Sequence, residues 1–149
     1  MTDHYMNALH EFHEATCQGQ RDHSTLASDN GDTIEFRIRL IAEEAGELFD
    51  ALRSRVPEDA AKELADLLYV AFGTAERFSI PIAPVFAEVH RSNMSKIGPD
   101  GAIELRNDGK VLKPAGYRAP DVGPILEEWD TRDDRPSLQI DVGAREHQT

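Results

Sequence analysis

Two acidic clusters carry the chemistry in this sequence: Glu43-Glu44-Ala45-Gly46-Glu47 and Glu63-Leu64-Ala65-Asp66. Dense carboxylate oxygen is a hard ligand set, suited to Mg²⁺ or Mn²⁺ rather than to zinc or copper. At about 100° per helical residue, Glu43, Glu44 and Glu47 fall within an arc of about 100°. Glu44 lies beside the apolar stripe, between the directions of Leu48 and Leu40, and not opposite it. Glu63 points between Leu67 and Val70, and Asp66 lies near Val70 and Gly73, on a segment otherwise rich in Leu, Ala, Val and Phe. An ionised carboxylate buried without a partner costs several kcal/mol, so each of these acids needs a cation or a proton. Lys62, at the edge of that face, is the one basic residue nearby. The pattern therefore points to a divalent-metal site shared by two antiparallel helices, against the plainer reading of a solvated acidic face.

These acids must be positioned by helices. Apolar periodicity predicts a first helix over residues 3–18, capped by Thr2 or Asp3, with Tyr5, Met6, Leu9 and Phe12 on one face. His10 and His13 sit on it three residues apart and are expected to line a pocket or the surface. Their spacing misses the zinc-protease His-Glu-x-x-His pattern by one residue. A polar loop follows over residues 19–31. The second helix is expected over residues 32–53, capped by Asp32 or Thr33, with Ile34, Ile38, Ile41, Ala45, Leu48 and Leu52 as its apolar stripe. Pro57 stops it, and a third helix spans residues 58–78. Pro81 breaks the chain again before a fourth helix over residues 83–97. After Gly98, residues 102–113 read as a short hairpin around Asp108-Gly109. Residues 122–129 supply a turn or two of helix, and residues 131–149 form a polar, loosely ordered tail. The expected fold is all-α: a four-to-five-helix bundle with a short C-terminal hairpin or loop extension, in a single domain over residues 1–130.

The formal net charge is −12. That sign repels a nucleic-acid backbone and anionic lipid, so neither is an expected partner. It also repels a free triphosphate, which requires divalent cations to reverse the local charge. No apolar run reaches the roughly 20 residues of a membrane span. The N-terminus lacks a signal-peptide pattern, and the lone Cys17 allows no internal disulfide, so the cytoplasm is the expected location.

Glu-Glu-x-x-Glu on one helix and Glu-x-x-Asp on the next resemble the signature of the all-α nucleoside triphosphate pyrophosphohydrolases. That superfamily includes MazG-like proteins, dimeric dUTP pyrophosphatases and phosphoribosyl-ATP pyrophosphohydrolase. Residues 63–70 (ELADLLYV), 86–96 (FAEVHRSNMSK) and 108–122 (DGKVLKPAGYRAPDV) look like the MazG-like branch that contains bacterial dUTP pyrophosphatases. The opening residues 9–13 (LHEFH) are similar too, so the likeness spans roughly residues 9–122.

The resemblance implies a homodimer or dimer of dimers and cleavage between the α and β phosphorus atoms. The products are a nucleoside monophosphate and pyrophosphate, and two or three Mg²⁺ or Mn²⁺ ions serve each site. Carried over by residue, Glu44, Glu47, Glu63 and Asp66 become metal ligands, and Glu43 orients or deprotonates the attacking water. Asn93 and Lys96, three apart on the fourth helix, would face the phosphates, with Lys113, Tyr117 and Arg118 closing from the loop. Arg91 is a weaker candidate for that role. His10, Phe12 and His13 are candidates for base or sugar contact. The relatives suggest a deoxynucleotide, with dUTP and dGTP as leading substrates, but no residue spacing selects between them.

Two rivals come from other classes. A carboxylate-bridged di-metal bundle with a redox or storage role wants Glu-x-x-His from two helices, and this sequence contains none. A non-catalytic acidic helical interaction module would need no metal at all.

Overall fold

A computed structural model describes residues 2–16, 31–98 and 101–131. Among them are five helices and no strand: α1 (Thr2–Ala15), α2 (Asp32–Ser54), α3 (Pro57–Arg77), α4 (Ile82–Met94) and α5 (Gly123–Asp130). The all-α expectation holds. Residues 17 and 18 of the expected first helix, residues 19–30 of the polar loop and the tail beyond Thr131 lie outside the described residues.

The chain divides into two compact units, one running to Ile80 and the other starting at Pro81. In the first, α2 packs on α3, and α1 lies along a different face of α3. Tyr5 stacks on Phe72 with ring centroids 6.1 Å apart, and Phe12 meets Tyr69 edge-on at 5.8 Å. Leu9 and Phe78 are fully buried there.

Helix boundaries follow backbone chemistry. Gly31, with φ +98°, precedes α2 as its N-cap, so neither Asp32 nor Thr33 caps it. Arg55 ends α2 in the left-handed conformation, before Pro57 is reached. Pro57 instead opens α3 at a first-turn position, where its missing N–H costs no helical bond. At the far end of α3, Ser79 adopts φ +49°. Its N–H and that of Ile80 bond back to the carbonyls of Glu76 and Ala75, closing a Schellman turn.

The α2 stripe divides in two. Arg37 and Ala51 are its buried residues, and they share with Leu40, Ile41, Glu44 and Leu48 the face toward α3. Ile38, Phe49 and Leu52 form a second apolar stripe that is exposed, as are Leu64 and Leu68 on α3. The sequence reading placed Ile38 and Leu52 on the inward stripe. Periodicity alone could not see that a buried charge, Arg37, held the inward position.

The second unit comprises α4, a loop region and α5. The expected hairpin is reduced to a single antiparallel bridge, Leu105 with Val111, flanked by hydrogen bonds from the Leu112 N–H to Glu104 and the Arg106 N–H to Lys110. Asp108-Gly109 makes its turn, with Gly109 at φ +83°.

Candidate metal centre and phosphate-facing loop

Antiparallel packing of α2 on α3 brings Glu44, Glu63 and Asp66 together, with one carboxylate oxygen of each lying within 4.8 Å of the others. All three are partly buried. Glu47 adjoins them: its carboxyl is raised above the ordinary range, first by a hydrogen bond to Glu63 and then by the charges of Glu63 and Glu44. A second carboxylate that close disfavours the charged form of Glu47. Glu63 Oε2 is buried and no donor reaches it.

The surroundings offer one cation. Lys62 Nζ lies 3.0 Å from Glu63 and 2.8 Å from Asp66, and the two acids raise its pKa. It approaches from the solvent side on a side chain that is 65% exposed, so it can swing clear of an incoming ion. A crowded set of hard oxygens, one of them buried without a donor, fits a divalent cation bound by Glu44, Glu63 and Asp66 with Glu47 at its edge. Glu43 is exposed on the same helix and does not belong to the cluster.

About two helical turns along the α2–α3 seam stands a second polar group, which the sequence reading missed. Glu76 is buried and receives two imidazoles: His10 Nδ1 at 2.9 Å and His13 Nδ1 at 2.5 Å. Burial pushes the His13 imidazole below its ordinary value, opposed by Glu76 and reinforced by Arg37 and Arg77. Burial likewise lowers Arg37. Gly73 is the small residue that admits this group, since a Cβ there would stand 3.3 Å from His13 Nε2 and 3.4 Å from Arg37 Nη1. His13 is therefore buried in this network, while His10 is partly exposed and Phe12 is exposed. The recoverable signal was Arg37 seven residues before Glu44, on the same helical face.

In the second unit, Lys96 Nζ bonds Asn93 Oδ1 at 2.8 Å, and Lys113 Nζ sits 4.6 Å from the centre of the Tyr117 ring. The hydroxyl of buried Ser92 donates to the Tyr117 hydroxyl at 3.4 Å. That bond, with Lys113 and Lys96 nearby, lowers the phenol pKa. Arg118 is exposed and anchored through its backbone. Arg91 pairs with Glu88 and donates to the Ala119 carbonyl, bracing the loop.

A family match to phosphoribosyl-ATP pyrophosphohydrolase covers residues 9–93, which includes both acidic clusters and most of α4. The chain belongs to the phosphoribosyl-ATP pyrophosphohydrolase family. Membership in that all-α family makes it a pyrophosphohydrolase, a hydrolase of acid anhydrides. No curated protein matches the chain. No described helix is long and apolar enough to cross a membrane.

Proposed function

We propose that this member of the phosphoribosyl-ATP pyrophosphohydrolase family is a Mg²⁺- or Mn²⁺-dependent nucleoside triphosphate diphosphatase. It cleaves the α–β bond of a (deoxy)nucleoside triphosphate, with dUTP and dGTP as leading substrates. The observation that carries this reading is the converging set of Glu44, Glu63 and Asp66, with a buried, unpartnered Glu63 oxygen, in a pyrophosphohydrolase chain. The dUTP-pyrophosphatase-like motifs outside the matched segment favour a nucleotide with an unsubstituted base over phosphoribosyl-ATP itself.

In this mechanism Glu44, Glu47, Glu63 and Asp66 hold two or three divalent ions, which supply charge neutralisation for the triphosphate and activation of water. Glu43 accepts the proton of the water whose oxygen attacks the α phosphorus. The α–β bridging bond breaks, and pyrophosphate leaves. Asn93, Lys96, Lys113, Tyr117 and Arg118 take the phosphate oxygens, and His10, Phe12 and His13 lie toward the base or sugar. The acting unit is a homodimer or dimer of dimers. The long exposed stripes on α2 and α3 support this, since a second copy can cover them.

The test is a panel of all common NTPs and dNTPs, with dUTP and phosphoribosyl-ATP, assayed with Mg²⁺ and with Mn²⁺. The expected product is pyrophosphate with a nucleoside monophosphate. Orthophosphate released without added pyrophosphatase overturns α–β cleavage, and turnover of phosphoribosyl-ATP alone overturns the nucleoside triphosphate assignment.

A further inference from the structure

The segment from Tyr117 to Asp121 has no regular secondary structure, yet four polar side chains on α4 hold it at successive points. Glu88 accepts from the Asp121 N–H at 2.8 Å. The same carboxylate takes Arg91 Nε at 2.7 Å and Nη2 at 2.6 Å, a two-point grip. Arg91 Nη2 then donates to the Ala119 carbonyl at 3.1 Å. One turn further along, at the C-cap of α4, Ser95 Oγ accepts from the Arg118 N–H at 2.9 Å; its hydroxyl donates to the Ser92 carbonyl at 2.7 Å, with the Arg118 carbonyl at 3.3 Å. Ser92 completes the row at the Tyr117 hydroxyl. Glu88, Arg91 (or Ser92) and Ser95 recur every three to four residues, so one face of α4 reads the strap's backbone amides and carbonyls in order.

The consequence concerns what the strap carries. Tyr117 holds the Lys113 ammonium against its ring, and Arg118 projects an exposed guanidinium from the residue whose amide and carbonyl Ser95 grips. Three groups able to meet a polyphosphate thus sit on a loop whose own backbone makes few bonds within itself, and α4 supplies the rigidity.

We propose that Glu88, Arg91 and Ser95 are positioning residues that clamp the 117–121 strap onto α4 so that Lys113, Tyr117 and Arg118 are preset for a polyphosphate chain. The proposal rests on the phosphate role given to those three residues above. Its chemistry is backbone capture. A side chain lost from α4 removes no direct ligand contact but lets the contact-making loop wander, and the cost falls on affinity.

The experiment uses the full chain, inorganic triphosphate with Mg²⁺ as the probe, and trypsin as a reporter on the Arg118–Ala119 bond. Ser95→Ala is expected to raise the cleavage rate at that bond about tenfold. It is also expected to weaken triphosphate binding about tenfold, the size of one lost hydrogen bond. The melting temperature should stay close to that of the wild type. Ser95→Thr, which keeps the hydroxyl, should restore both readouts, and Glu88→Gln should reproduce the defect from the other end of the strap. An unchanged cleavage rate overturns the clamp. Faster cleavage with unaltered triphosphate affinity overturns its positioning role, as does a wild-type protein with no triphosphate affinity. If triphosphate binds in a clamp-dependent way but no nucleotide is hydrolysed, only the diphosphatase reading falls.

Discussion

At the scale of single residues, this chain concentrates its tension in carboxylates. Glu44, Glu63 and Asp66 crowd one another, and the Glu47 carboxyl is raised above its ordinary range beside Glu63. Replacing Glu47 by Gln or Asp66 by Asn removes one negative charge from that crowd without changing its shape. Each change is expected to abolish Mg²⁺-dependent turnover while leaving the metal-free protein at least as stable as the wild type, by thermal melting in chelator. A non-catalytic acidic module would show the stability effect and no activity to lose, so activity retained in either variant counts against the assigned ligands. Gly73 poses the opposite problem, too little space. A methyl group there meets His13 and Arg37, and neither is free to move, since both are buried in one network. Gly73→Ala should cost about 1–3 kcal/mol by urea denaturation, the range for overpacking a filled interior.

Between helices, the polar group around Glu76 ties α1 to α3. Removing one partner of a buried charged group leaves the rest uncompensated, and Glu76→Ala is expected to cost about 3–5 kcal/mol. The same group sets a pH dependence. His13 in the native protein titrates below the ordinary histidine value of 6.5, chiefly because it is buried. Under about pH 6.5 the unfolded chain takes up a proton that the native chain refuses, so stability falls as pH falls through that window and levels off below the native value. Wild type compared with His13→Gln between pH 7.5 and 5.5 should show this decline in the wild type alone. The strap behaves differently. Arg91, aided by the Asp121 N–H, holds the Glu88 carboxyl down at about 2 from an ordinary 4.5. Its contribution is therefore complete above pH 4.5 and lost as pH falls through about 2. The gap in melting temperature between wild type and Glu88→Gln should be constant above pH 4.5 and close below it.

At the scale of the whole molecule, the described residues set a small buried core against large exposed apolar side chains. Phe49 is 60% exposed, Leu52 58% and Ile38 53%, all on one stripe of α2. Contiguous exposed apolar surface is the kind that protein interaction sites use. The proposed occupant is a second copy of the chain, giving the dimer implied by the family likeness. Phe49→Asp is expected to shift the protein to a monomer, as measured by sedimentation or light scattering, and a wild type that is itself monomeric would refute the proposal.

The sequence by itself determined the helical class, the order of the helices and the pairing of the two acidic clusters. These depend on short-range periodicity and on proline and glycine chemistry, which act within a few residues. It also disclosed the likeness to the all-α pyrophosphohydrolase superfamily, because a motif is a local pattern, while the matching family is phosphoribosyl-ATP pyrophosphohydrolase and not the dUTP-pyrophosphatase-like branch. Tertiary structure decided which side of each helix faces inward. His13 and Arg37 are distant in sequence from Gly73 and Glu76, and the four form one buried group only when α1 and α2 both close on α3. It decided that Arg91 braces a loop, since its partner Ala119 lies 28 residues away. Above all it decided the orphaned Glu63 oxygen, because burial is a property of the packed seam and no residue carries it alone.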